Sequence, residues 1–286
     1  MWSEEEMRDI EPVRPTPRRT NSPAIRQDLI RRNLTRAAAH PHDQTRSSII
    51  YAPTETAHGN FIDASYRRIQ ATPDWQRRLT KPHTAKRHGR LSEVRDTSWC
   101  ELDTATSSDA LLMNIFCYPR VLATASLPAL LGIDPGQTPI FGHKPHTPLH
   151  RNLTDTTEID MKLGPLLVEA KLTETDFQSA PIRKLQRYRD LEEVFNLEDL
   201  KAEQGTIRSY QLIRGVLAAH VHQASFCVLC DARRPDLIES WFQVMRAVRF
   251  YDLRARLRIH TWQELARALP VPLKVFLAQK YGIESA

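Results

Sequence analysis

The spacing of apolar positions divides the chain into three stretches. Residues 1–48 have almost no large apolar side chains beyond DLIRRNLTRAAA (28–39), whose helical periodicity is that of a short helix, marginal on its own in water. Residues 49–98 mix polar runs with scattered aromatics (Tyr51, Phe61, Tyr66 and Trp75, followed by Trp99) that would pack on a domain, and the basic run Arg77–Arg90 reads as an exposed loop. From residue 99 onwards the pattern is globular. Ser107-Ser108-Asp109 caps the apolar run ALLMNIFCY, predicting a helix over 107–118 that Pro119 limits. LPALLGIDPG (127–136) reads as a helix closing in a turn, and 137–150, dense in Pro and His, as a loop. TEIDMKL and LLVEAKL then switch to a period of two, predicting paired strands. Helices are expected at 179–196, 206–222 and 235–249, strands at SFCVLC (225–230) and LRIH (257–260), and two closing helices at TWQELARAL and PLKVFLAQKYG. Strands interleaved with helices predict a layered α/β domain over 99–286, preceded by an irregular extension (49–98) and a disordered arm (1–48).

Composition changes this picture only through charge. The net charge is +6, and residues 1–100 hold 18 Arg+Lys against 12 Asp+Glu, so the remaining 186 residues are neutral. A basic arm on a charge-balanced domain is expected, not a uniformly basic coat for nucleic acid. No apolar stretch approaches the length of a membrane span, no leader pattern opens the sequence, and four cysteines are too few for a stapled secreted scaffold. These features predict a cytoplasmic protein with reduced thiols.

The chemistry gathers on the two alternating segments. Gly164-Pro165 between them suits a two-residue hairpin turn, with Gly supplying the positive φ and Pro the second position. Leu163 then faces Leu166, Met161 faces Val168, Asp160 faces Glu169, Ile159 faces Ala170 and Glu158 faces Lys171. One face is apolar throughout: Ile159, Met161, Leu163, Leu166, Val168 and Ala170. The other carries Glu158, Asp160, Lys162, Leu167, Glu169 and Lys171. An ordinary hairpin with one wet face has the same alternation, but two carboxylates opposed at a strand spacing of about 4.8 Å repel unless a cation bridges them or a proton is taken up. Such a pair suits Mg²⁺, which prefers a few carboxylates with waters and phosphate oxygens. Lys171 reaches the same place.

At these residues the sequence resembles the PD-(D/E)XK nuclease superfamily: Asp160, a gap of eight residues, then Glu169-Ala170-Lys171 on the second strand of a hairpin. SSDALLMNIF, IRSYQLIRGVLAA and the TWQELARAL…KYG ending resemble a bacterial branch of restriction-endonuclease-like proteins over about residues 99–283. The resemblance implies a restriction-endonuclease-like mixed sheet flanked by helices and hydrolysis of phosphodiester bonds, in DNA first. It implies Mg²⁺, or Mn²⁺ in its stead, on Asp160, Glu169 and the Ala170 carbonyl. Lys171 would orient the attacking water or meet developing charge. The first core helix departs from the family by offering Asp109 near its start and Asn114 inside it in place of a glutamate, and Ile159 stands where the motif's name has Pro. Glu158 is a spare carboxylate whose plain role is a salt bridge to Lys171 across the strands. Gln211 and Arg214, spaced i,i+3, either face the phosphate, as in some relatives, or are solvated. Nucleic acid is the expected partner, with a homodimer where both strands are cut and a protein partner for the arm as further expectations. A catalytically silent binding or complex-forming protein of the same fold is the alternative.

Other signals weigh less. Cys227-Val228-Leu229-Cys230 has the spacing of half a zinc site, but residues three apart on a strand point to opposite faces, which favours buried thiols. His143, His146 and His150 read as loop residues. Neither a Walker loop nor GxGxxG precedes a helix.

Overall fold

The Gly164-Pro165 turn folds the two alternating segments onto each other and seeds the central sheet. A computed structural model describes residues 22–83 and 99–285. Its sheet comprises β1 (Pro139–His143), β2 (Ile159–Leu163), β3 (Leu166–Ala170), β4 (Ser225–Cys230) and β5 (Leu257–Thr261), side by side in the order β5-β4-β3-β2-β1. The first three strands run antiparallel, while β3, β4 and β5 run parallel through long crossovers. The principal helices are α1 (Ser22–Ala37), α2 (Asp63–Ala71), α3 (Pro73–Leu79), α4 (Ser108–Phe116), α5 (Ser126–Leu131), α6 (Tyr210–Val221), α7 (Pro235–Ala247), α8 (Trp262–Arg267) and α9 (Val271–Tyr281).

Helices cover both faces of the sheet. On one face Leu167, Phe226, Val228 and Cys230 pack with α6 and α7, among them Ile213, Val216, Leu217 and Trp241. On the other, Met161, Leu163, Val168, Ala170, Cys227 and Leu229 pack with α4, α8 and α9, and with Ile25 and Leu29 of α1. A strand buried on both faces has no reason to alternate, which is why SFCVLC is continuously apolar. Cys227 and Cys230 lie in opposite cores as free thiols, and burial pushes both thiols up, Cys230 to about 12. This is the expected restriction-endonuclease-like mixed α/β layering. Among the described residues no helix is long and apolar enough to cross a membrane.

Four expectations change. Residues 137–150 are not all loop, because Pro139–His143 forms the edge strand β1 against β2. Its Pro is tolerable at the start of an edge strand, and Gly142, at φ +64, breaks the alternation that would have marked it. The single helix expected over 179–196 is instead two four-residue pieces, Ile182–Leu185 and Leu191–Val194, because backbone bonds from His150 N–H to Arg187 and from Arg189 N–H to Pro148 draw the chain between them onto another segment.

Of the disordered arm expected over 1–48, residues 1–21 lie outside the described residues, and the part that is described is ordered. Residues 22–37 form α1, whose polar groups find partners across the fold: Arg32 and Asn33 donate to the α9 carbonyls of Ala278 and Lys280 at 3.1 Å each, and Ser22 donates to the Thr173 carbonyl. The extension is likewise packed, with Phe61, Tyr66 and Trp75 buried against Met113 and Cys117. Finally, the first part of the basic run is not an exposed loop. Arg77 and Arg78 are in α3, and Trp75 fixes that helix by donating to the Pro139 carbonyl at 2.9 Å. The rest, 84–90, lies outside the described residues.

Lys280 of α9 is fully buried where, among the described residues, no carboxylate pairs with it. Its Nζ donates to Asn33 Oδ1 at 2.5 Å and lies over the rings of Tyr51 and Tyr281 at 5.1 and 4.8 Å. Burial, then the Arg36 charge, hold its amine well below the ordinary lysine value. Cation–π attraction of about 0.5–2 kcal/mol is smaller than the cost of burying an uncompensated charge. The unfolded chain therefore binds the proton more tightly, and stability rises as pH climbs toward about 10.4, the unfolded value. Urea unfolding of Lys280→Met should show its largest gain over the parent at pH 7, shrinking by pH 10; a pH-independent difference would mean that the amine stays charged in the fold.

Candidate active site

The hairpin pairs as expected near its turn, with Leu163 opposite Leu166, Lys162 opposite Leu167 and Met161 opposite Val168, and Gly164 has the positive φ (+58) that the turn requires. Beyond Met161 the expected pairing stops. The Ala170 N–H, which would continue the ladder toward Ile159, is taken at 2.7 Å by the Asp160 carboxylate. On the other side of β2, Gly142 likewise has no partner in the ladder between the Phe141–Met161 and His143–Ile159 pairs. The distortion sends Ile159 into the α6–α7 core, apart from Met161, so the expected apolar face is broken at that residue.

Asp160 and Lys171 line a cavity of about 590 Å³, with Ala170, Asp109, Glu174 and Gln211 also in its wall. Glu169 stands behind them, 1% exposed, accepting from Lys171 Nζ at 2.6 Å. Burial, then the Glu169 and Asp109 charges, push the Asp160 carboxyl well above the usual carboxylate range. Burial would lower Lys171, but Glu169 and Asp160 outweigh it and hold the ammonium charged. The Lys171 backbone is fixed from both sides: its N–H donates to Leu229 and its carbonyl accepts from Trp262 Nε1 at 2.9 Å.

The salt bridge expected between Glu158 and Lys171 is not made, because Lys171 is bonded to Glu169. Glu158 instead meets Arg78 at 3.3 Å and Lys81 at 3.4 Å, both from the extension. Burial opposes ionisation of Glu158, but Lys81 and Arg78 hold its carboxyl below the ordinary value. Arg78 also binds Asp109 at 2.9 Å, and Lys81 lies 3.6 Å from Asp109 and 3.4 Å from Glu101.

The remaining candidates separate cleanly. Asp109 borders the cavity. Asn114 does not: fully buried, it donates to the Asn60 and Ala110 carbonyls and accepts from the Ile62 N–H, tying α4 to the extension. Gln211 lines the cavity, and its buried Oε1 has no hydrogen-bond partner among the described residues. Arg214, 5% exposed, donates to the Glu158 carbonyl at 2.9 Å, bracing the start of β2 and not solvated. Sequence reasoning missed Glu174, Arg78 and Lys81. Glu174 accepts from Ser108 Oγ and the Leu172 N–H, at 2.5 and 2.6 Å, locking the end of β3 to the start of α4. Its place three residues beyond Lys171 was the available signal.

The donor chemistry at Asp160 and Glu169 is hard oxygen. Among the described residues no three His, Cys, Asp or Glu side chains are grouped to cage a metal. What fits is a hard divalent ion on two carboxylates that completes its shell with water and substrate oxygens. Carboxylates beside a charged lysine at the end of a strand pair suit hydrolysis at a phosphorus centre.

A family model described as restriction endonuclease associating with ARP matches residues 36–282 of the chain. Searches of the curated proteins and of the solved structures each found no match.

Proposed function

The chain belongs to the family of restriction endonucleases associating with ARP, and from that premise we propose that it is a metal-dependent nuclease of the PD-(D/E)XK type that hydrolyses phosphodiester bonds in DNA. The observation that carries this reading is the convergence of Asp160, Glu169 and Lys171 at the end of β2 and β3, where the Asp160 carboxylate, not a backbone carbonyl, takes the Ala170 N–H. An ordinary hairpin would continue its ladder there.

In this mechanism Asp160, oriented by the Ala170 amide, Glu169, oriented by Lys171, and the Ala170 carbonyl would hold Mg²⁺ or Mn²⁺. A hard divalent ion held there would supply a water of lowered pKa and neutralise charge on the scissile phosphate. Lys171, kept charged by its two carboxylates, orients the attacking water or meets the negative charge that builds on the phosphate. Gln211 lines the same cavity and would reach the substrate or a bound water only after its buried amide oxygen turns outward. Cutting both strands would engage two copies of the chain.

The silent alternative draws on the lack of a third carboxylate grouped with Asp160 and Glu169 among the described residues. Incubation with plasmid, short duplex and single-stranded DNA, and RNA separates the two readings. Cleavage of DNA is expected with Mg²⁺ or Mn²⁺ and none with chelator. Binding without cleavage in every metal would assign the silent role, and cleavage that survives chelation would remove the metal from the mechanism.

A further inference from the structure

The extension does more than pack. Trp75 docks α3 on the edge strand β1, and α3 then sends Arg78 past Gly142 into the mouth of the site. A Cβ on Gly142 would fall 2.2 Å from Arg78 Nη1 and 3.1 Å from Glu158 Oε2, so this gap in the strand is the space the guanidinium uses. Lys81 lies in the wall of the 590 Å³ cavity and also of a neighbouring one of about 500 Å³, which Arg78 and Glu158 share and which runs along β1. The two cations therefore stand between the place where a phosphate would be cut and the next stretch of groove.

We propose that Arg78 and Lys81 bind the substrate phosphate next to the scissile one, passing the nucleic-acid backbone from the catalytic cavity into the groove along β1. The inference rests on the nuclease reading above and adds to it a substrate contact outside the hairpin.

Charge at the mouth supports the assignment. Asp109, Glu158, Glu101, Asp160, Glu169 and Glu174 are six carboxylates against the four cations Arg26, Arg78, Lys81 and Lys171, a formal charge of −2 that would be −4 without Arg78 and Lys81. A polyanion meets a strong barrier at −4. The pairs to be exchanged share Glu158, whose side chain is 39% exposed against 23% for Lys81 and 12% for Arg78, so the carboxylate is the partner that water can take up when it is displaced. A phosphate offers the fork of Arg78 two oxygens in return. Asp109, 11% exposed and 2.9 Å from Arg78, keeps the guanidinium aimed throughout the exchange.

The test is binding without cleavage. Anisotropy titrations of a labelled duplex in chelator, across a salt series, compare the full chain with Arg78→Gln, Lys81→Gln and the conservative Lys81→Arg. Each Gln variant should bind about tenfold more weakly and lose about 0.9 from the slope of log affinity against log salt, whereas Lys81→Arg keeps the slope. Should Arg78→Gln unfold by circular dichroism, Lys81→Gln decides alone. Slopes equal to that of the parent, with cleavage reduced, would mean that the pair only positions Asp109 and Glu158, overturning the proposal while the nuclease reading stands. A parent chain that neither binds nor cuts nucleic acid overturns both.

Discussion

Lys171→Met is expected to lower cleavage by on the order of 10²–10⁴-fold and to weaken the fold at the same time. Lys171 is 4% exposed, Glu169 1%, and the two are bonded at 2.6 Å. Removing one member of a buried ion pair leaves the other uncompensated, at a cost of about 3–5 kcal/mol. Loss of activity in the single variant therefore mixes chemistry with folding. The double variant Glu169→Gln, Lys171→Met separates them, because a neutral amide beside a thioether carries no buried charge. Its urea midpoint should return toward that of the parent while single-turnover cleavage stays absent. Parental cleavage rates in Lys171→Met, or their recovery in the double variant, would remove these side chains from the mechanism.

The second large effect is expected at Trp262. The indole is fully buried among Leu265, Leu273 and Leu277, and its Nε1 holds the carbonyl of Lys171, so one side chain anchors both α8 and the end of β3. Trp262→Ala should cost about 3–5 kcal/mol, a fall in melting temperature of roughly 6–20 °C for a chain of this size. Trp262→Phe keeps most of the apolar volume but leaves the Lys171 carbonyl without its donor, about 1–3 kcal/mol. Thermal melts and cleavage assays on the two variants distinguish packing from positioning. In Trp262→Phe, cleavage at a temperature where the protein is fully folded should still fall, because the backbone carrying Lys171 has lost a fixed point. Full activity there would reduce Trp262 to a packing residue.

What could be read from the sequence was local. Gly164-Pro165 and the alternation on either side sufficed for the turn, the first three pairs of the register and the shared location of Asp160, Glu169 and Lys171, because turn chemistry and a period of two act over a few residues. The break in the ladder at Asp160 was not legible, since it depends on Gly142 in a strand disguised by Pro139 and a positive φ. Arg78 and Lys81 were hidden for a different reason: within a basic run, a cation that enters a site looks the same as one in water. Only the docking of α3 through Trp75 distinguishes them. The polar composition of α1 suggested an arm because its partners, the carbonyls of α9, lie far away in sequence. The helix expected over 179–196 failed similarly, since hydrogen bonds between residues 187–189 and 148–150 override a local preference.

The pairing of α1 with α9 also bears on when the protein becomes itself during synthesis. Asn33 and Lys280 exchange hydrogen bonds across 247 residues, and Ile25 and Leu29 share a core with Leu273 and Leu277. At roughly 5–20 residues per second, α1 waits on the order of 10–50 s for that partner to be translated. During this interval the part of its apolar stripe that α9 covers stays open and its Arg32 and Asn33 bonds to α9 are unmade. Translation of α9 thus sets when the core around α1 can close: a stalled or truncated chain lacking α9 would leave Ile25 and Leu29 without part of their apolar cover.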